Sequence, residues 1–375
     1  MPSSTLFAAL LTLVLSVGCE KKAPLGPSGE LLEGNSHDYI YHGPPLAEIL
    51  PPIGLAGIVL MGVLDEAMSG GETEVPSHQG SATKPVIAYT SKDLSNPFFN
   101  IIGDTLKTEA AKHGYDVVVV DGGDKAETQD KQIDDFITQK VKAIVVSPCS
   151  SKDVGASIRK ANKAGIPVFT VDLACTDEKA EIVSHVETDN YGGGKLAGEA
   201  MIKALGKDGG KVLILHLKTA DSCVQRVAGF TEVIDAHNKA LADGASKIEV
   251  VQTLPGGGNQ QQSKKSTEDF VQGNKDLRAI FAINDPSALG AYTALRQVGM
   301  EKQVTIVGFD GEKAGKQAIK EGKIFADPIQ YPDRMAEITI QSLVDYFDGK
   351  QPEKLIKIPA KLYYKEDADK DPDLK

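Results

Sequence analysis

The chain is 375 residues long, enough for two or three domains of ordinary size. Hydrophobic residues at 41% and charged residues at 25% sit near the globular average, which excludes wholesale disorder. With 41 Lys+Arg against 52 Asp+Glu, a net charge of −11 and no run of Lys or Arg, the chain lacks the basic face that a nucleic-acid binder uses to displace phosphate counterions.

Taken in chain order, residues 6–17 come first and are almost entirely apolar. The stretch is too short to span a bilayer and fits the core of a signal peptide. Leu15-Ser16-Val17-Gly18-Cys19 resembles a bacterial lipobox, although its Leu lies one place too far upstream and no Lys or Arg precedes the apolar core. Residues 1–19 are therefore expected to be a lipoprotein-like signal peptide with Cys19 as the lipidation site. The plainer alternative is an ordinary exported protein in which Cys19 is incidental. Either way the expected location is periplasmic or cell-envelope. Residues 20–83 are rich in Pro, Gly, Ser and Glu, as expected of a tether of low order. Within it, residues 53–64 form an apolar, Gly-rich run to which the sequence gives no function. Lipidation of Cys19 leaves Cys149, Cys175 and Cys223, which allow at most one intrachain bridge.

From residue 86 onward short β-branched runs alternate with helical stretches. Residues 86–89 predict a strand. Residues 97–113 predict a helix with Asn96 as N-cap, Pro97 at its first position, Ile102, Leu106 and Ala110 four apart, and Gly114 as its stop. Residues 116–120 carry the continuous apolar pattern of a parallel strand buried on both faces. A helix bearing Ile133, Phe136 and Ile137 on one side follows, then a strand at 143–146, a helix at 153–164 and a strand at 167–171. A second series begins near Asp189. Helices at 190–205, 225–237, 260–271 and 286–298 alternate with strands at 211–215, 248–251, 279–282 and 304–307. Such alternation predicts right-handed βαβ units around parallel sheets covered on both faces. There are too many strands for one small sheet, so the expected class is α/β with two Rossmann-like lobes.

Ligands of open α/β sheets sit beyond the carboxyl ends of the strands. Those positions here are residues 91–96, Asp121, Ser147, Asp172, residues 218–222 and 256–259, Asn284, Asp285 and Asp310. They are mostly Asn, Asp, Ser and Gln, with Arg226 nearby and Phe98 and Phe99 beside the first crevice. Carboxylates and amides suit the hydroxyls of a neutral polyhydroxylated ligand, and an aromatic ring suits the C–H face of a sugar.

Leu94-Ser-Asn-Pro-Phe-Phe99, Ile166-Pro-Val-Phe-Thr-Val-Asp172, Val183-Ser-His-Val-Glu-Thr-Asp-Asn190, Phe281-Ala-Ile-Asn-Asp285 and Val307-Gly-Phe-Asp-Gly311 together resemble the ribose-type periplasmic sugar-binding proteins, type I solute-binding proteins of ABC importers. The resemblance covers residues 84–365. It implies two lobes joined by a three-segment hinge, residues 84–188 with 331–359 and residues 189–330 with 360–375. Ligand would be trapped between them and delivered to an ABC permease by a monomeric protein. It also implies ligand contacts from Asn96, Phe98, Phe99, Ser147, Asp172, Arg226, Asn284, Asp310 and Gln330. Asp189 and Asn190 are read as a helix cap or part of the hinge. Departures from the family pattern are Leu173 and Val224 in place of Arg, Gly256–Gly258 where an aromatic is expected, Ser147 in place of Asn and Lys92 in place of Ser. With two guanidinium groups gone, these departures point away from ribose and toward another pentose, a hexose or a polyol. The implied fold sets Cys149 and Cys175 after neighbouring strands, which leaves open a bridge between them or two buried thiols.

Gly192-Gly-Gly-Lys195 looks like a phosphate loop but lacks both the Ser or Thr after Lys and the upstream Gly. No nucleotide fingerprint, nucleophile elbow or zinc spacing is present, so neither a cofactor nor a metal is expected. The rival functions are a ligand sensor docking on a membrane receptor and, more remotely, a carbohydrate-active enzyme using crevice carboxylates as a pair.

Overall fold

A computed structural model describes residues 84–374; the expected leader, the Cys19 lipidation site, the tether and the 53–64 run lie outside the described residues. The chain first lays down β1 (Val86–Ser91), α1 (Pro97–Lys112), β2 (Asp116–Asp121), α2 (Ala126–Gln139), β3 (Ala143–Val146), α3 (Gly155–Lys163), β4 (Val168–Val171) and β5 (His185–Thr188). It then crosses into α4 (Asn190–Leu205), β6 (Gly210–His216), α5 (Asp221–Ala240), β7 (Ile248–Pro255), α6 (Gln260–Gly273), β8 (Leu277–Ala282), α7 (Asp285–Gln297), β9 (Thr305–Val307), α8 (Lys313–Lys320) and β10 (Ala326–Ile329). It returns through α9 (Pro332–Phe347) to β11 (Leu355–Ile358), and crosses a last time to β12 (Lys361–Tyr364) and the short α10 (Lys365–Ala368).

Two six-stranded sheets result, in the orders β11-β5-β4-β3-β1-β2 and β12-β10-β9-β8-β6-β7. Every pairing is parallel except that of β12 with β10. The α/β class with two Rossmann-like halves is thus observed, with one antiparallel edge strand that the alternation did not predict. β3 and β4 are buried along their whole length, as central parallel strands are. β2 is not, despite its run of four valines. It is the sheet's outer strand, so alternate side chains face solvent and Val118 is 43% exposed. Continuous apolar character therefore misreads this edge strand as a central one.

Local sequence explains how α1 starts. Asn96 has an extended backbone, its Oδ1 accepts from the Phe98 N–H at 2.8 Å, and Pro97 takes the first helical position. Ile102, Leu106 and Ala110 are then fully buried on the face toward the sheet. The Gly-Gly-Gly run has a packing role. α4 crosses α5 so closely that a Cβ on Gly194 would strike the Arg226 carbonyl, and one on Gly229 would strike the Tyr191 carbonyl.

Cys149, Cys175 and Cys223 are free thiols, so the Cys149–Cys175 bridge is not formed. Cys149 Sγ turns inward to the Lys92 carbonyl at 3.5 Å, whereas Cys175 packs on the separate apolar cluster around Ile144 and Ile158. Burial raises both thiols, Cys149 to about 11, which leaves them protonated and unreactive at neutral pH.

Candidate functional site

The carboxyl ends of both sheets face one crevice. Its wall includes Asn96, Phe98, Phe99, Asp172, Arg226, Asn284, Asp310 and Gln330. Eight of the nine residues expected to contact ligand are therefore brought together. Ser147 is not among them. It lies one layer down, fully buried, where its hydroxyl meets Tyr89 Oη at 3.0 Å and donates to the Val171 carbonyl at 3.0 Å. Those bonds fix the end of β4 beneath Asp172.

Three chain crossings sit at one end of the crevice and are tied together laterally. The Asp189 N–H donates to the Ile358 carbonyl at 2.8 Å, and Thr188 Oγ1 donates to Gln330 Oε1 at 2.7 Å. Gln330 Nε2 in turn donates to Asp310 Oδ1 at 2.6 Å. The same Asp310 oxygen receives Arg226 Nη1 at 2.9 Å, and that nitrogen also donates to the Ile283 carbonyl at 2.8 Å. The guanidinium lies over the Phe309 ring, 3.8 Å from its centroid. Its Nε donates to Asn190 Oδ1 at 2.9 Å, while Asn190 Nδ2 donates to Glu187 Oε2 at 3.2 Å. Asn190 is thus a positioning residue for Arg226. The sequence offered a helix cap or a hinge role at that position but not this contact, which comes from α5, 36 residues away.

Two pocket carboxylates sit on left-handed backbone, Asp172 at φ 66 and Asp310 at φ 104, which few non-glycine residues adopt without a compensating reason. Asp172 is deeply buried and its Oδ1 has no hydrogen-bond partner among the described residues. Burial pushes its pKa up to about 7, with Arg226 pulling the other way. Burial also raises Asp310. Burial and then the charge of Asp310 push Glu312 up to about 8, with the Asn96 amide pulling the other way.

The remaining walls were only partly foreseen. Lys92 is buried and ion-paired with Asp124, so its ammonium is already engaged. Phe98 and Phe99 are both buried and meet edge to face at 5.3 Å. Asn284 caps α7 through its Oδ1 and holds the Gly258 carbonyl through its Nδ2 at 2.9 Å, so most of its amide is spent on the fold. Leu173, Leu217, Ala220 and Cys223 line the crevice too, whereas Val224 is exposed and is not part of this wall. Among the described residues no group of three or more His, Cys, Asp or Glu is arranged to hold a metal ion.

Two α/β halves joined by three crossings, with buried polar groups meeting at their shared seam, define a two-lobed solute-binding protein. A family model described as a periplasmic binding protein domain matches residues 87–351. The chain belongs to that family, among its ribose-type members. It is 31% identical to the ribose import binding protein of Bacillus subtilis over 288 residues, 76% of this chain and 90% of the relative. It is 30% identical to the D-ribose/D-allose-binding protein of Pseudomonas aeruginosa over 285 residues, 74% and 86% of the two chains. Among solved structures, an ABC transporter periplasmic solute binding protein from Actinobacillus succinogenes with bound D-allose aligns with a TM-score of 0.69 at 26% identity, over 76% of this chain and 100% of that one. The family is one of non-enzymatic solute-binding proteins.

Proposed function

We propose that this protein captures a sugar or related polyhydroxylated molecule in the crevice by hinge closure and delivers it unaltered to an ABC importer. The observation that carries the reading is Asp172, a deeply buried carboxyl group on the crevice wall with an oxygen that lacks a partner. Such a group is costly to bury unless a ligand completes its hydrogen bonds, and a sugar hydroxyl can both donate and accept. Phe98 and Phe99 offer the apolar face that a sugar ring needs. Sugar-bound relatives of the same architecture support the reading.

On this proposal residues 84–188 with 331–359 and residues 189–330 with 360–375 act as the two lobes. The protein works outside the cytoplasm as a monomer, held to a membrane through lipid on Cys19. Asn96, Arg226, Asn284, Asp310 and Gln330 complete the ligand contacts. A panel of sugars and polyols screened by thermal shift is expected to contain at least one that raises Tm through mass action. For that molecule Asp172→Ala should cost about 2–5 kcal/mol of binding in calorimetry, the range for a desolvated, charge-assisted contact. Unchanged affinity removes Asp172 from the site.

A further inference from the structure

The crevice is not polar all round. Asp172, Arg226, Asp310 and Gln330 make up one polar part of its lining, and the Lys92–Asp124 pair another. A further part of the lining is apolar. Leu173 follows β4 in the first half, and Leu217, Ala220 and Cys223 follow β6 in the second. Leu173, Ala220 and Cys223 are buried in the same apolar cluster as Phe98 and Phe99, and the partly buried Leu217 packs against it. The one hydroxyl beside them, Ser222 Oγ, is 4.0 Å from Cys223 Sγ and turned to it. Gly257 and Gly258 add no side chains to the lining; a Cβ at Gly258 would stand 3.2 Å from the Leu217 side chain and 3.7 Å from Asn284 Nδ2, the amide that already holds the Gly258 carbonyl.

A ligand hydroxyl pressed against the apolar part would leave water without finding a partner, at the usual cost of a buried unsatisfied polar group. A methyl group or a bare C–H edge would instead gain by burial there. We infer that the ligand is a deoxy sugar, hydroxylated along the edge that meets Asp172, Arg226 and Asp310 and deoxygenated where it meets Leu173, Leu217, Ala220 and Cys223. This rests on the reading of the crevice as a sugar site and narrows its substrate class.

The test is a set of matched pairs that differ by one hydroxyl, measured by calorimetry on the full chain: D-fucose against D-galactose, L-fucose against L-galactose, L-rhamnose against L-mannose, and 2-deoxy-D-ribose against D-ribose. In whichever pair binds, the deoxy member is expected to be about 10- to 100-fold tighter. Leu173→Gln, which places an amide in the apolar part, should shrink that ratio to within about threefold, and circular dichroism checks that it folds. If the fully hydroxylated member binds as well or better in the wild type, the deoxy inference is wrong and the sugar reading stands. If neither these pairs nor a wider panel of sugars and polyols binds at millimolar concentration, the sugar reading itself fails and takes the inference with it.

Discussion

Asp285 and Asp327 face one another inside the second half, both fully buried, behind Asp310 and outside the crevice wall. The Glu312 N–H donates to Asp285 Oδ2 at 2.7 Å, but Asp285 Oδ1 and both oxygens of Asp327 lack any other donor among the described residues. Two carboxylates cannot both stay ionised at such a site, so the pair holds a proton between them. Burial raises both groups, Asp327 to about 7. An acid whose folded pKa is raised keeps a proton that the unfolded chain has already released. Its contribution to stability is therefore full below about pH 4, the ordinary carboxylate value, and is lost as pH rises through about 7. Asp327→Asn supplies an amide donor to Asp285 that does not depend on pH. Thermal unfolding at pH 8 should show the variant more stable than the wild type by about 1–3 kcal/mol, with the difference shrinking toward pH 4. Identical Tm curves at both pH values would mean that Asp327 bears no shared proton. Nothing in the local sequence announced this pair, because Asp285 and Asp327 lie on separate elements, at the start of α7 and within β10.

Elements differ in how openly the sequence declares them. α1, β3 and α4 were legible because cap residues, β-branched runs and apolar spacing all agreed with the tertiary setting. β5, β10, β11 and β12 went unread as strands. Each has only four residues, and β10 contains Asp and Pro, which local propensity assigns to turns. Most polar crevice residues were legible because strand ends in an α/β fold have a fixed meaning, whereas Gln330 came only from the family resemblance. Of the crevice leucines only Leu173 was legible, as a departure from the family's Arg; Leu217 looks like ordinary core until the second half is seen opposite the first. The α4–α5 crossing joins these two kinds of information. Gly194 has no side chain because the Arg226 carbonyl occupies that space, and Arg226 is the residue that α5 delivers to the crevice. Gly194→Ala should push the helices apart and cost about 1–3 kcal/mol of stability through overpacking. It should also stretch the 2.9 Å bond from Arg226 to Asn190 and weaken ligand binding. A variant with wild-type Tm and affinity would show that the crossing relaxes freely and does not position Arg226.

At the scale of the whole molecule, the two halves also share contacts that the ligand does not make. Ser151, from the loop after β3, reaches across the seam to the second half. Its N–H donates to the Thr219 carbonyl at 3.1 Å, and its Oγ accepts from the Asp221 N–H at 3.1 Å. Asp221 opens α5, and Ala220 before it offers no side-chain cap, so the first N–H of this helix is capped from the opposite half. The bond exists only when the halves are together, whereas an open form leaves that N–H to water. Ser151 does not line the crevice, so its removal alters the open–closed balance without touching ligand contacts. Ser151→Ala should lower the closed population by the worth of one cap, about 1 kcal/mol. Apparent affinity should then fall about fivefold, since a ligand that prefers the closed state must make up the difference. Calorimetry measures that loss, and small-angle scattering with saturating ligand should still show the compact form. If Ser151→Ala binds as tightly as the wild type, the cross-seam cap adds nothing to closure, and the ligand's own bridging of the two halves supplies the whole driving force.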